Sequence, residues 1–304
     1  MNKVIVICGP TASGKTKLGI ELAKKINGEI VSCDSMQIYK DMDIGTAKPT
    51  KAEQNEVKHY LIDFVSPDKR YSVAEYKNDA ENVIDKIIKN NKTPIIVGGT
   101  GLYLNSLIYG IDYPDIKTDL NYRKELEEKV NKDGLEEIYK EAKIIDPIAV
   151  EKISKNDKKR ILRILEIYHS TGKTKTELEK ESRKNGIKYD YRIFVLNMPR
   201  CELYERINKR VDIMIKEGLI EEVKKIISKY KEFPTAMQGL GYKEVVEFLE
   251  NKITKEEMID KIKMETRRYA KRQLTWFKSY KEATWLDSNN TNNVDIILED
   301  ISEK

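Results

Sequence analysis

The stretch GPTASGKT at residues 9–16 restricts the fold of this chain more than any other feature. It follows the apolar run VIVIC at residues 4–8 and fits G-x-x-x-x-G-K-[ST], a pattern whose backbone N–H groups cradle phosphates. Such a loop joins a buried strand to a helix, whose N-terminus attracts the anion, and a helix is predicted over residues 15–26. We expect Lys15 to reach the terminal phosphate and Thr16 to help hold Mg²⁺.

Strands and helices continue to alternate after this phosphate loop (residues 9–16). Residues 29–33 and 94–97 are predicted strands, and apolar residues at helical spacing predict a helix over residues 72–90. Short apolar strands separated by helices indicate a parallel sheet that is covered on both faces. Ligands bind such sheets beyond the carboxyl ends of the strands, so the phosphate loop, Asp34 and Thr100 should line one crevice.

Between residues 112 and 188 the strand pattern is absent. Charged amphipathic segments, among them residues 122–132 and 157–171, predict helices. Strand patterns return at residues 191–196 and again at residues 283–286, where we expect a last strand at the edge of the sheet. The chain therefore resumes its sheet after a helical insertion.

The whole pattern predicts an α/β fold with two parts. Residues 1–111 and 189–304 should form a phosphate-binding core, a parallel sheet flanked by helices with further helices near the C-terminus. Residues 112–188 should form an inserted all-helical domain. The length of 304 residues suits a core plus a smaller domain.

Composition excludes several classes of protein. With 39% hydrophobic and 35% charged residues, the chain should be soluble and globular. It has no basic leader and no apolar run of membrane-spanning length, so we expect a cytoplasmic protein without membrane contact. The cysteines Cys8, Cys33 and Cys201 form no C-x-x-C pair, which argues against a disulfide framework or a zinc site. His59 and His169 lack metal-ligand spacing, and we expect both to be structural or surface residues.

Asp34 is the acidic residue that directly follows a predicted strand. Many P-loop ATPases end a second core strand in an aspartate that binds Mg²⁺, but here the run at residues 95–97 ends in Gly98 and Gly99. Asp34 has two possible roles: a general base that faces the phosphates, or a helix cap or Mg²⁺ ligand. The glycines after the third strand would let a ligand approach the Thr100 hydroxyl closely.

Basic residues suggest contacts with further phosphates. Residues 152–163 are rich in Lys and Arg, and residues 261–281 combine basic residues with aromatic ones. Such segments bind nucleic acid or form a solvated helix face with aromatic residues in the core. Either Arg206 or Arg210 could bind a second phosphate, or both could lie on a surface helix.

Six segments then occur in one order along the chain, which are GPTASGKT, CDSMQIYKDMDIGTAKP, IIVGGTGLY, NDKKRILRILEI, GLGYKE and TRRYAKRQLTWFK. Together they closely resemble the tRNA dimethylallyltransferases of bacteria, over essentially the whole chain. The resemblance implies a P-loop NTPase-like fold. It also implies transfer of a dimethylallyl group from dimethylallyl diphosphate to N6 of the adenine beside the anticodon (position 37), in tRNAs that read codons beginning with U, with release of pyrophosphate.

The resemblance also implies roles for single residues. Asp34 corresponds to the general base, Thr100 to a hydroxyl beside it, and Arg210 to an arginine that stabilises the leaving pyrophosphate. The implied diphosphate cradle comprises Gly9, Pro10, Thr11, Ala12, Ser13, Gly14, Lys15 and Thr16, and Thr16 is the residue expected at Mg²⁺. The implied tRNA contacts are Asp34, Ser35, Met36, Gln37, Thr100, Arg123, Lys159, Arg160, Ile161, Leu162 and Arg163, to which the basic C-terminal helix adds Arg268 and Arg272. The family often has Gln in place of Lys159, so a base-specific contact there is less expected than a phosphate contact.

Two other functions compete with an RNA-modifying prenyltransferase. A P-loop kinase would use ATP on a small acceptor, but it leaves the basic aromatic C-terminal segment without a role. A non-enzymatic RNA-binding protein leaves Asp34 without a role at the phosphate crevice. For the prenyltransferase we expect the anticodon stem-loop of tRNA and dimethylallyl diphosphate as partners, and a monomeric protein.

Overall fold

The computed structural model describes residues 1–113, 119–182 and 186–303. The chain divides into two compact units. One, the sheet unit, comprises Met1–Tyr71, Tyr76–Leu104 and Lys188–Lys304, and the other, the helical unit, comprises Ser72–Glu75 and Asn105–Ile187. None of the helices described has the length and apolar character that crossing a membrane requires.

Six strands and fourteen α-helices follow one another in the described residues. In chain order they are β1 (Lys3–Cys8), α1 (Lys15–Lys25), β2 (Gly28–Cys33), α2 (Lys51–Glu56), β3 (His59–Tyr60), α3 (Val73–Lys89), β4 (Thr93–Gly98), α4 (Gly101–Ile108), α5 (Leu120–Asp133), α6 (Leu135–Ile145), α7 (Pro147–Glu151), α8 (Lys158–Thr171), α9 (Lys175–Ser182), β5 (Asp190–Asn197), α10 (Arg200–Glu217), α11 (Leu219–Lys229), α12 (Tyr242–Leu249), α13 (Lys255–Phe277), β6 (Thr284–Asp287) and α14 (Asn293–Glu303).

The strands form one sheet in the order β3-β2-β4-β1-β5-β6, and every neighbouring pair is parallel. In β1, β2 and β4 all residues after the first are buried, as expected for strands whose two faces are both covered by helices. The predicted parallel sheet flanked by helices is thus confirmed. Because β2, β4 and β1 are neighbours, Asp34, Gly99 and Gly9 emerge side by side at their carboxyl ends.

The two edge strands differ in how well the sequence predicted them. Residues 284–287 form β6, which pairs with β5 at one edge, close to the predicted position. The opposite edge strand, β3, was not predicted. It contains only His59 and Tyr60, which pair with Ile30 and Val31. A strand of two half-exposed residues carries no hydrophobic period by which the sequence could reveal it.

Among the hydrophobic clusters that stabilise the sheet unit, two support the surroundings of the phosphate loop and Asp34. In the first, Leu18 and Leu22 of α1 pack with Ile5 and Ile95 of the sheet. Burial of each such side chain contributes about 1.5–3 kcal/mol. The second cluster joins helices α10 to α13 with three residues of the segment after β2, which are Ile38, Tyr39 and Met42. It therefore fixes the chain that continues from Asp34.

The helical unit has its own core, in which α5, α6, α7 and α8 contribute Leu126, Ile138, Val150 and Leu165. Two of its helices, α5 and α8, begin at side-chain caps. The Asp119 carboxylate accepts the N–H groups of Asn121 and Tyr122 at 2.9 and 3.2 Å, and the Asp157 carboxylate accepts that of Arg160 at 3.1 Å. Such caps satisfy N–H groups that the first helical turn leaves unpaired.

Candidate active site

The phosphate loop joins β1 to α1 in a conformation that depends on glycine. Gly9 has a φ of 148°, and a Cβ there would lie 2.7 Å from the carbonyl oxygen of Leu196. Gly14, with a φ of 90°, precedes α1 and has no side chain that could cap it. The first N–H groups of α1 are therefore left to attract an anion.

Two half-buried cations stand beside this loop. The Lys15 ammonium donates to the carbonyl of Pro10 at 2.7 Å. Burial, and next the positive charge of Arg210, lower the pKa of Lys15 to about 8. Burial also lowers the pKa of Arg210 on α10, and the charge of Asp34 opposes that shift. The described residues offer the Arg210 guanidinium no hydrogen bond, so its charge is available to a ligand.

Asp34 both caps a turn and lines the crevice. Its Oδ1 accepts the backbone N–H groups of Met36 at 2.8 Å and of Gln37 at 3.2 Å. Within the described chain, Oδ2 has no hydrogen-bond partner. The capping role and the crevice-facing role, which the sequence left as alternatives, are therefore compatible, since one oxygen fixes the carboxylate and the other stays available.

Thr100 lies next to the segment that follows Asp34. Its N–H donates to the carbonyl of Cys33 at 3.1 Å, and its Oγ1 accepts the N–H of Ser35 at 3.0 Å. Tyr269 lines both cavities together with Asp34, and its pKa is raised by burial and then by the charge of Asp34. The Tyr269 phenol therefore stays protonated. The sequence indicated Tyr269 only as one aromatic residue of a basic segment.

Gln273 links two loops of the site, and the sequence gave it no role. Its Oε1 accepts the Thr11 N–H at 2.9 Å, and its Nε2 donates to the Gly99 carbonyl at 2.9 Å. A Cβ at Gly99 would lie 2.3 Å from this amide nitrogen. The only local signal is a polar residue on the buried face of α13, within the segment AKRQLTWFK.

Two adjoining cavities bring these residues together. Thr11, Asp34, Thr46, Arg210 and Tyr269 line both of them. The first cavity also contains Lys15, Thr16, Gln37, His59 and Gln273. The second has a volume of about 340 Å³, and its further lining includes Met36, Met214, Leu240, Tyr242, Ile262 and Arg272. A polar end is thus continuous with an end rich in apolar side chains.

His59 was expected to be a structural or surface residue, but it lines the first cavity. Its Nδ1 lies 2.8 Å from the carbonyl of Val57, and its Nε2 is buried without a hydrogen-bond partner. Burial lowers the pKa of His59, so the ring is neutral at physiological pH. His59 became part of the site through β3, the strand that the sequence did not reveal.

The structure also distinguishes the two arginines of α10. Arg206 donates to the Asn289 side chain at 2.8 Å and is exposed. Arg210, one helical turn later, lines both cavities. Arg210 therefore shares a cavity with Lys15, Thr16 and Asp34, which Arg206 does not line.

Comparisons with known proteins find relatives of this chain. The family model described as IPP transferase matches residues 37–280. The tRNA dimethylallyltransferase of Acetivibrio thermocellus is 47% identical over 99% of this chain and 96% of its own length.

The chain belongs to the tRNA dimethylallyltransferase family. Among solved structures, the tRNA isopentenylpyrophosphate transferase of Bacillus halodurans is 41% identical, with a TM-score of 0.74 over 100% of this chain and 96% of that one. A eukaryotic dimethylallyltransferase acting on tRNA is 32% identical, with a TM-score of 0.82 over 100% of this chain and 80% of its own. The P-loop NTPase-like fold and the prenyltransferase class are thus confirmed over the kinase alternative.

Two of the residues that were expected to contact tRNA are buried. Ile161 and Leu162 are both 0% exposed in the core of the helical unit. The expectation that these two side chains contact RNA is therefore wrong, because they form the apolar face of α8. Their neighbours Lys159 and Arg160 are exposed on the same helix.

Arg123 and Arg163 share a buried partner. The Glu166 carboxylate accepts from Arg123 at 2.6 Å and from Arg163 at 3.3 Å. Arg123 also donates to Glu127 at 2.9 Å. Both guanidinium groups are half-buried, with one side held by carboxylates, so their orientation is fixed from within the helical unit.

In the sheet unit, Ser35, Met36 and Gln37 are half-buried beside the cavities. Arg268 and Arg272 are exposed on α13. Arg268 pairs with Glu265 at 2.6 Å, and the Arg272 guanidinium lies 5.8 Å from the centre of the Tyr269 ring. Because Arg272 also lines the second cavity, it stands where that cavity meets the surface.

The described residues contain no group of three or more His, Cys, Asp or Glu side chains that could hold a metal ion. Near the phosphate loop, the oxygen ligands available to a cation include the Thr16 hydroxyl and the Asp34 carboxylate. This set suits Mg²⁺, which proteins often bind through one or two side chains together with substrate phosphates.

Proposed function

We propose that the protein transfers the dimethylallyl group of dimethylallyl diphosphate to N6 of the adenine beside the anticodon. The acceptor would be position 37 of tRNAs that read codons beginning with U, and pyrophosphate would be released. Family membership supports the reaction class. One observation carries the proposal: a carboxylate, Asp34, lines the same cavity as two half-buried cations, Lys15 and Arg210.

The donor fits the two cavities by chemistry. Its diphosphate would lie on the N–H groups of residues 9–16 and at the N-terminus of α1. Lys15 and Arg210 are half-buried and partly desolvated with little opposing charge, so the anion would offset an electrostatic cost that the free protein bears. The short hydrocarbon group would occupy the adjoining space beside apolar side chains such as Met214 and Ile262.

The reaction exchanges one bond for another. The N6 nitrogen attacks the allylic carbon of the donor, and the bond from that carbon to the diphosphate oxygen breaks. The bonding electrons leave with the pyrophosphate, whose growing charge Lys15, Arg210 and the loop N–H groups stabilise. Asp34 accepts the proton that N6 loses. The hydroxyls of Thr100 and Tyr269 lie beside this base and would orient the adenine.

Thr16 would hold Mg²⁺ together with the diphosphate oxygens. When bound, the ion would supply positive charge to the leaving group. The chain's own part is to present the Thr16 hydroxyl at the start of α1, close to the N–H groups that bind the same phosphates.

Basic residues of both units would bind the tRNA, and the adenine would leave the base stack to enter the cavity. Ser35, Met36, Gln37, Arg268 and Arg272 would contact RNA from the sheet unit. The helical unit would contribute contacts from Arg123, Lys159, Arg160 and Arg163, all of which also lie within the inserted domain predicted at residues 112–188. A monomeric protein in the cytoplasm stays a prediction.

A transfer assay tests this function. The protein is incubated with labelled dimethylallyl diphosphate, Mg²⁺ and a tRNA that reads a U-starting codon, and in parallel with labelled ATP. We expect label from the prenyl donor on the tRNA and none from ATP. Phosphorylation of an acceptor without prenyl transfer would support the kinase instead, and tRNA binding without either reaction would support an RNA-binding protein.

A further inference from the structure

The segment at residues 43–47 forms a wall of the candidate site, and a single carboxylate holds it. Glu222 Oε2 accepts the N–H groups of Asp43 at 2.9 Å and Ile44 at 2.7 Å. Its Oε1 accepts the N–H of Gly45 at 3.1 Å. Three consecutive backbone donors therefore converge on one side chain from the first turn of α11.

Tyr242 completes this arrangement. Its hydroxyl donates to Glu222 Oε1 at 2.6 Å, and burial and then the Glu222 charge raise its pKa. The Tyr242 ring packs on Gly45 so closely that a Cβ there would lie 2.5 Å from a ring carbon. Residues 43–45 belong to the segment DMDIGTAKP, and Tyr242 belongs to GLGYKE. These two segments, which the proposed chemistry does not use directly, thus meet at Glu222.

The held segment is connected to Asp34 through Gln37. The Gln37 Nε2 donates to the carbonyls of Thr46 and Ala47, each at 3.2 Å. The Gln37 backbone N–H in turn donates to Asp34 Oδ1 at 3.2 Å. Hydrogen bonds, joined by short stretches of covalent chain, therefore connect Glu222 to the carboxylate that faces the two half-buried cations.

We propose that Glu222 is a positioning residue for Asp34. It acts by fixing the 43–47 segment, which orients Gln37 and through it the carboxylate of the base. This inference rests on the proposed function, because it assigns Asp34 the task of accepting the N6 proton. Glu222 itself lines neither cavity, so its effect on the reaction must pass through the segment that it holds.

Glu222→Gln is the most informative variant. Either orientation of the amide turns its NH₂ group toward backbone donors, at Asp43 and Ile44 or at Gly45. A misplacement of about 1 Å at a reacting group can lower a rate about 100-fold, so we expect kcat to fall between about 10- and 100-fold. The KM for dimethylallyl diphosphate should change less than about threefold, because the contacts of the phosphate loop remain. Glu222→Asp keeps a carboxylate and should recover part of the loss.

A double-mutant cycle with Asp34→Asn separates positioning from general damage. If Glu222 acts through Asp34, Glu222→Gln should slow single-turnover transfer less than about twofold once Asp34 is already Asn. Glu221→Gln is the matched control, because Glu221 is the preceding residue on α11 and its carboxylate pairs only with Lys224, at 3.3 Å, among the described residues. If Glu222→Gln does not fold, Glu222→Asp is compared in the same two backgrounds.

Wild-type kcat in the Glu222 variants would overturn the inference, and so would an equal loss in the presence and absence of Asp34. These results differ from failure of the proposed function, in which the wild-type protein itself transfers no dimethylallyl group to tRNA. In that case the inference fails with the function on which it rests.

Discussion

The guanidinium of Arg210 lowers the pKa of Lys15, in addition to the larger effect of burial, and the resulting pKa is about 8. The charge of Asp34 acts in the opposite direction. Two half-buried cations thus share a cavity with one carboxylate. This arrangement leaves positive charge for a diphosphate and makes its binding depend on the protonation of Lys15.

The affinity for dimethylallyl diphosphate should therefore fall as the pH rises above about 8. The protonated Lys15 ammonium binds the anion, and the free protein loses that proton above its pKa of about 8. Above this pH, binding requires the uptake of one proton, and the decrease in affinity should approach tenfold for each further pH unit. Calorimetric titrations at a series of pH values measure the effect.

Two variants control this experiment. Arg210→Met removes the neighbouring charge and should move the decrease to higher pH. Lys17→Met changes a side chain on the same helix that is 82% exposed, and the pH profile should not change. An affinity that is independent of pH above 8 would show that Lys15 does not hold the diphosphate.

Asp34→Asn should lower kcat by about 10²- to 10⁴-fold while tRNA binding stays close to wild type. The substitution keeps an Oδ1 that can accept the N–H groups of Met36 and Gln37, so the turn should persist. The basic group, however, is lost. Single-turnover transfer and a tRNA binding titration measure the two effects separately. Near-normal turnover would exclude Asp34 as the base.

Gln273→Ala should destabilise the protein by about 1–3 kcal/mol, because the Thr11 N–H and the Gly99 carbonyl would both lose their partner. The KM for the prenyl donor should rise as well, since the phosphate loop is no longer tied to α13. Urea unfolding and steady-state kinetics measure the two effects. Lys271→Ala, at an exposed position of the same helix, is the control. Unchanged stability and KM would mean that the two loops hold their positions without Gln273.

Arg268→Ala and Arg272→Ala should each weaken tRNA binding and reduce its salt dependence by about one phosphate contact. Both side chains are exposed on α13, and released counterions make such contacts sensitive to salt. Lys255→Ala lies at the start of the same helix and serves as the control. Affinities measured at several salt concentrations decide the matter, and an unchanged slope would place this part of α13 away from the RNA.

The sequence predicted the parts of the fold that depend on neighbouring residues. The phosphate loop, β1, β2 and β4 were predictable because each combines a local pattern with a short buried run. Arg206 and Arg210 could not be separated by spacing, because residues four apart share a helix face. The structure separates them through the Asn289 side chain, which binds Arg206.

The missing parts of the site depend on contacts between distant residues. Gln273 contacts a loop 262 positions away, and Glu222 contacts a segment about 180 positions away. No local pattern marks a polar side chain for such a role. Ile161 and Leu162 illustrate the opposite error. Every residue of the segment that resembles the family was expected to contact tRNA, although these two apolar residues form part of the core of the helical unit.

The central claim is that the phosphate loop holds a prenyl diphosphate whose hydrocarbon group passes to a tRNA adenine. The most direct measurement is mass spectrometry of nucleosides from a U-codon tRNA that was treated with the protein, Mg²⁺ and dimethylallyl diphosphate. We expect N6-dimethylallyladenosine at position 37, and far less of it after the same reaction time when Asp34 is Asn. Unmodified adenosine at position 37 after treatment with the folded wild-type protein would contradict it.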